Sequence, residues 1–508
     1  MSKTSITVRC FARALAFLFC VAACCTVLFA AAPSEKDEAV RLGIQVTTRS
    51  AKARELFEQG LAQCQTLHLR EGFATWRKAA QADPHFALVH ILLANFSPDP
   101  AERVVEREKA LASRKRVSPE EQLVIDWLSN SSQGRFVPAI QAMNEALEKY
   151  GDHKLVVWLA GMWMDEQQQW ARAIPLYEQA IKLDPNFGDA WNSVAYCYAR
   201  IGQFDRAIDA MKKYTEILPN QPNPHDTMAE ILLMAGKYQD ALAEYRTALK
   251  IDPGFVESQR GIADAYALMG DEARARAEYA SAIAKVNSPA EAARWALLAA
   301  ATYVREGDWN GADAAFTAAA KQAHERGFGI AEAEAWRSMA LYQKDPEAAR
   351  RLLDRAEASL HEGHKIPQSL ADQEWAAVLR ARVERAVQNG NIELASQELM
   401  QLEALSTNYN DGAIRILYQA AAGAVSLAKG NYPDAIGFLN ENDRDVLSLR
   451  HLMEAYQKSG AKEQAQRIGK KLAGFNEVTI EQALVVLPFR SAQGGAEAES
   501  SSGNGSGK

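Results

Sequence analysis

The sequence predicts an all-α protein, a solenoid of helical hairpins stacked one on the next. Three observations predict it. Five alanines stand at a constant step of 34 residues: Ala139, Ala173, Ala207, Ala241 and Ala275. A turn residue precedes each by five positions, at Gly134, Gln168, Gly202, Gly236 and Gly270. A large residue follows each by four, at Met143, Tyr177, Met211, Tyr245 and Tyr279. A fixed period of this size marks an array in which each unit packs on its neighbours.

Each unit reads as two helices, best seen between Asn186 and Pro219. Trp191, Val194 and Tyr198 recur at helical spacing and share one face. Gly202 takes the left-handed conformation that ends a helix without a Cβ penalty. Phe204, Ala207, Ile208 and Met211 form the next apolar stripe. Pro219 ends it, having no N–H and a ring that clashes with the preceding turn. Ala207 is small because paired helices approach to roughly 8–10 Å. A further small residue recurs at Ala146, Ala180, Ala248 and Ala282, with Tyr214 the exception, and Pro185, Pro219 and Pro253 close three units.

The pattern extends beyond this block. Gly307 is followed at the same offset by Ala312, Gly390 by Ala395, Gly430 by Ala435 and Gly460 by Ala465, at uneven intervals that require helices of different length. Lys344, Pro346 and Ala349 form a degenerate turn of the same kind, and Trp76, Ala79 and Pro84 keep the spacing of Tyr177, Ala180 and Pro185. The chain is therefore divided into a leader (1–32), a linker (33–52), divergent helical repeats (53–119), a regular array (120–289), further divergent repeats (290–475), a capping segment (476–490) and a tail (491–508). The tail is rich in Gly, Ser and Ala and is expected to be disordered. The apolar stretch Ile480–Val486 is expected to cover the exposed face of the last repeat.

These columns resemble the tetratricopeptide repeat family. The resemblance is carried by "WNSVAYCYARIGQFDRAIDAMKKYTEILP" and "HDTMAEILLMAGKYQDALAEYRTALKIDP" and is strong over residues 120–289. Gln168 departs from it at one turn glycine and Asn287 at one closing proline. The resemblance implies a right-handed superhelix whose first helices line a concave groove, and a protein that binds peptides or protein surfaces. Carrying the family's groove positions onto this chain selects Trp158, Met162, Asp165, Asn192, Tyr196, Asp226, Glu230, Arg260 and Asp264. Trp158 falls in the column that points into the groove. One aromatic anchor among amides and acids suits an extended or helical segment bearing Lys or Arg. The subclass that grips a partner's terminal carboxylate uses lysines and asparagines here; Asn192 remains and the lysines do not.

Composition narrows the function. The chain has 508 residues, 48% of them hydrophobic, and a net charge of −7. A single core of that size would be unusual, and a repeat array avoids the problem. An acidic array lacks the basic stripe that nucleic acids require. Lys3, Arg9 and Arg13 precede an apolar run from Ala14 to Ala32 that ends in small residues, the layout of a secretory signal. Three readings stay open for it: a cleaved leader, an uncleaved anchor near the length needed to cross a bilayer, or a lipoprotein box at Val21-Ala22-Ala23-Cys24 in which Cys24 receives lipid. Each predicts an exported protein of the bacterial envelope, touching the membrane only through this segment. Of six cysteines only Cys64 and Cys197 lie beyond the leader. They are several repeats apart, too far for a disulfide, and read as buried small residues.

No phosphate loop, nucleophile elbow or calcium loop is present, and neither metal nor cofactor is expected. His361 and His364 flank Glu362 in "HEGH", at a step of three where zinc proteases use four. That reads as a solvated turn, and acidic pairs such as Glu120-Glu121 and Asp165-Glu166 read as helix surface. The expectation is a protein-binding scaffold without an active site. The alternatives are a self-assembling envelope subunit and a metal-dependent hydrolase in 327–375 using His361 and His364.

Overall fold

A computed structural model of the chain describes residues 43–65, 69–97, 99–133, 135–362, 368–409, 412–442 and 445–492. The leader, Cys24, residues 33–42 of the linker, Gly134, His364 and the tail from 493 lie outside the described residues. Among the described residues there is no strand. Twenty-four α-helices follow one another among them, most of them paired into successive hairpins. The first pairs are α1 (Ala51–Gln65) with α2 (Leu69–Ala82), α3 (Ala87–Phe96) with α4 (Pro100–Ser113), and α5 (Pro119–Ser131) with α6 (Phe136–Tyr150). Then come α7 (Lys154–Glu166) with α8 (Trp170–Leu183) and α9 (Gly188–Arg200) with α10 (Phe204–Ile217), followed along the chain by α11 (Pro222–Met234) and α12 (Tyr238–Ile251). These are followed by α13 (Val256–Leu268) with α14 (Glu272–Lys285), α15 (Pro289–Glu306) with α16 (Trp309–Glu325), and α17 (Gly329–Tyr342) with α18 (Pro346–Glu362). The last are α19 (Gln368–Gln388) with α20 (Ile392–Tyr409), α21 (Gly412–Ala428) with α22 (Tyr432–Asn440), and α23 (Val446–Lys458) with α24 (Lys462–Ala473). A terminal helix over 480–492 ends the described chain.

Two compact units divide these hairpins: Met1–Leu232 with Lys250–Asp252, and Leu233–Leu249 with Pro253–Lys508. The repeat columns explain the hairpins in both. The five column alanines are fully buried, as are Met143, Tyr177, Met211, Tyr245 and Tyr279 four positions on. The small residue lets the two helices of a hairpin approach, and the large one fills the space one turn later. The connecting turns share a geometry. At Gly202, φ is +79°, Gln203 N–H donates to Tyr198 O at 2.8 Å, and Gly202 N–H to Ala199 O at 3.0 Å. This pair of bonds satisfies the last carbonyls of the helix. Gln168 makes the same pair, with Gln169 N–H to Met164 O and its own N–H to Asp165 O, both at 2.8 Å. It does so at φ +58°, the one non-glycine residue with positive φ among the described residues. In the second unit the uneven turn spacing becomes helices of 9 to 21 residues. The degenerate turn closes without a left-handed residue, since Gln343 is extended (φ −61°, ψ 132°).

The described part of the linker is pinned to the first unit. Ile44 and Val46 are buried. Gln45 N–H donates to Glu120 Oε2 at 3.1 Å, and Thr47 N–H to Glu121 Oε1 at 3.0 Å. Leu155 N–H donates to Gly43 O at 3.1 Å, and the Thr47 and Thr48 hydroxyls donate to Glu121 and Asp83. Glu120 and Glu121, expected on the surface, are therefore buried. The reason is local. Ser118 and Glu121 form a capping box at the start of α5, and its spare carboxylate oxygens accept the N–H groups of the extended strap.

Candidate functional site

Two ladders of equivalent positions run along the first helices of the first unit. Trp158, Asn192 and Asp226 recur at a step of 34 on α7, α9 and α11, and Met162, Tyr196 and Glu230 recur one turn further on. Trp158, read as the anchor of the groove, is 1% exposed. Its ring packs tilted against Phe187 at 5.9 Å between centroids. Lys154 Nζ lies 5.3 Å from the other partner of that stack, the Phe187 ring, and pairs with Asp184. The aromatic column thus sits where the turn before α9 folds back on α7. Met162, Asn192, Tyr196 and Asp226 are buried too, whereas Asp165 and Glu230 are partly exposed. Tyr196 donates its hydroxyl hydrogen to Glu230 Oε2 at 2.6 Å and lies 3.4 Å from Thr227 Oγ1. Successive rungs of the second ladder are therefore joined by one charge-assisted hydrogen bond between neighbouring first helices.

In the second unit, Arg260 and Asp264 lie one turn apart on α13 and pair with each other. Tyr279 donates to the other oxygen of Asp264. Burial, and then the charge of Asp264, push the Tyr279 hydroxyl well above its ordinary value, so it stays a donor. The single basic residue selected from the sequence thus has an internal counter-ion.

Histidines and cysteines gather into no metal site among the described residues. His361 is exposed at the end of α18, and His364 lies outside the described residues. His90 is buried between Glu106 and the Pro84 carbonyl, 3.1 Å from its Nε2. Cys64 and Cys197 are buried and form no disulfide with each other, and burial pushes the Cys64 thiol up. Among the described residues no three His, Cys, Asp or Glu side chains gather as metal ligands. Nor is any helix among them long and apolar enough to cross a membrane.

The sequence reading missed a second set of polar residues, all in the second unit. Arg305 on α15 bonds Glu272 at 2.8 Å and Ala267 O at 2.7 Å. Arg337 on α17 bonds Glu374 on α19 at 2.6 Å. Arg380 on α19 bonds both oxygens of Asp445, at 2.5 and 2.6 Å, and Glu384 accepts from His451 on α23 at 2.8 Å. All four basic groups are buried or nearly so. Their signal in the sequence is faint: a basic residue among the small apolar ones of a first helix, as in "EAWRSMALY".

Residues 166–231 and 232–301 match the Tetratricopeptide repeat family. Over those two stretches the chain is similar to tetratricopeptide repeats. Small glutamine-rich tetratricopeptide repeat-containing protein 2 of Mycosarcoma maydis is 30% identical over 96 residues, 19% of this chain and 27% of that protein. Hsp70-Hsp90 organizing protein of Triticum aestivum is 24% identical over 173 residues, 32% of this chain and 30% of that protein. The chain thus spans under a third of either curated relative. Among solved structures, the Cut9-Hcn1 hetero-tetramer aligns with 79% of this chain and 76% of its own, at 15% identity and a TM-score of 0.39. The matched stretch of repeats covers α8 to α14 and most of α15, including the columns that place Asn192, Tyr196, Asp226 and Glu230.

Proposed function

We propose that this chain is a protein-binding scaffold, and that a peptide or protein segment engages the first helices of its first unit. The observation that carries the reading is the pair of ladders, which brings equivalent side chains of α7, α9 and α11 into register on successive hairpins. Tetratricopeptide repeats as a class bind protein partners, and the wheat relative is named as an organizer of Hsp70 and Hsp90, which supports a binding role here. Asp165 and Glu230, both partly exposed, bring negative charge to this face, which favours a partner segment presenting Lys or Arg. Arg260 and Asp264 extend the same columns along the sequence, into the second unit.

The test uses the immobilised full chain to recover a partner, followed by titration with that partner. Tyr196→Phe with Glu230→Gln removes the charge-assisted bond while keeping shape and helicity, and is expected to weaken binding about tenfold, or about 1.4 kcal/mol. Affinity that survives both changes, in a chain of unchanged circular dichroism, places the binding face elsewhere.

We further propose that the scaffold acts in the bacterial cell envelope, delivered by the leader with Lys3, Arg9 and Arg13 before its apolar run. Cell fractionation with mass spectrometry of the mature N-terminus tests this and separates cleavage, retention and lipidation of Cys24. Recovery of an intact leader in the cytosolic fraction would end the envelope reading.

A further inference from the structure

The terminal helix packs on the last hairpin and also reaches well beyond it. Val485 and Val486 pack with Val446, Leu447, Leu449 and Leu472 of the last hairpin. Ile480 and Ala483, however, belong to the apolar cluster of Leu297 and Val304 on α15, Trp336 on α17 and Val378 on α19. One short helix thus touches both α15 and α23. Its polar contacts, and those of the segment leading into it, reach equally far back. Gln482 accepts from Arg305, Tyr238 donates to Asn476 Oδ1 at 2.6 Å, and Asn476 donates to Met234 O at 3.3 Å. Glu481 is close enough to Arg337 and Arg380 to favour their charged forms.

Three features separate this helix from the array it rests on. First, the array's buried charges are matched without it. Arg305 keeps Glu272 and the Ala267 carbonyl, Arg337 keeps Glu374, Arg380 keeps Asp445, and His451 keeps Glu384. Its departure strands no buried ion, the costliest event in a protein interior. Second, its own backbone is irregular. Pro488 has no N–H to return to the Leu484 carbonyl, and the turn before it widens, so that Leu487 N–H reaches Gln482 O instead. Third, the face beneath it has donors to spare. Arg337 Nη2 and Arg380 Nε are buried and meet no acceptor among the described residues. What the helix does supply is apolar cover, and only another apolar helix replaces that.

We propose that the inner face of the second unit is a docking site for an amphipathic helix, held in cis by residues 480–489 and released to a partner helix of the same chemistry. That partner presents apolar side chains in the spacing of Ile480, Ala483 and Val486. It presents an amide toward Arg305 and a carboxylate toward Arg337 and Arg380, where a better-placed oxygen than that of Glu481 meets the spare donors. The inference rests on the scaffold reading but is tested apart from it, since the face of α7, α9 and α11 plays no part in the assay.

The probe is a fluorescently labelled peptide of residues 475–492, titrated onto the full chain by anisotropy. The full chain carrying Val486→Asp, which loosens the resident helix, is expected to bind it at least tenfold more tightly than the wild-type chain. The Ile480→Asp peptide is expected not to bind, and the Glu481→Gln peptide to bind several-fold more weakly. Hydrogen exchange of the unaltered chain is expected to show residues 480–487 opening at least tenfold faster than α23. Equal peptide affinity for both chains, protection of 480–487 as slow as that of α23, or loss of cooperative unfolding in the Val486→Asp chain would each overturn the proposal by making the helix part of the core. A concentration-dependent dimer that suppresses the fast exchange would assign the face to a second copy of the chain and overturn it as well.

Discussion

At the scale of single residues, the repeat sets backbone conformation as firmly as it sets packing. Gln168 occupies a left-handed position that its neighbouring repeats give to glycine. A non-glycine residue there costs about 1–2 kcal/mol, partly offset by the entropy glycine loses on folding, about 0.5–1 kcal/mol. Gln168→Gly is therefore expected to raise stability by up to about 1 kcal/mol, read as a higher denaturant midpoint with unchanged slope. The opposite change is expected at Gly261. A Cβ there would lie against the ring of Tyr245, inside van der Waals contact. Both groups are held in the hairpin stack, so Gly261→Ala is expected to lower stability by about 1–3 kcal/mol, the overpacking range. Both effects were half legible in the sequence. The phase of the columns fixed which glycines must turn and which alanines must be buried. It did not say which first-helix glycine faces a tyrosine ring, because that depends on the side-chain direction of the preceding hairpin.

At the scale of elements, the sequence read helices well and connections poorly. Periodicity locates a helix because its apolar face must repeat every 3.6 residues; an extended strap has no such signature. Residues 43–48 read as polar linker, yet they lie against α5 because Glu120 and Glu121 offer carboxylates at a helix start. Trp158 shows the same limit: its column was legible, its burial against Phe187 was not. His153 adds a testable pH dependence to this corner. Its Nδ1 lies 2.7 Å from Glu120 Oε1, and that hydrogen bond raises its pKa above the usual histidine value. A raised folded-state value means the stabilisation is complete below about pH 6.5, the unfolded value, and is lost as pH rises through the folded one. The wild-type stability advantage over His153→Asn is accordingly expected to be larger at pH 6 than at pH 8. Equal differences at the two pH values, from urea unfolding of both chains, would remove His153 from the account.

At the scale of the whole molecule, repeats explain how an acidic chain of 508 residues folds without one oversized core. Each hairpin finds its apolar partners next door, so the array is built from short-range contacts. In the second unit α19 reaches past the next hairpin to α23, and the terminal helix reaches furthest, back to α15. Its apolar run was visible in the sequence, but its destination was not, because nothing local in Ile480–Val486 names α15 as the surface it seeks.

The seam made by the terminal helix has a consequence for biosynthesis. A ribosome delivers α15, α17 and α19 well before it reaches Ile480, so each nascent chain passes through an interval in which the inner face of the second unit is assembled and uncovered. During translation the site is open to any suitable helix nearby, and the chain's own claim on it is the last to arrive.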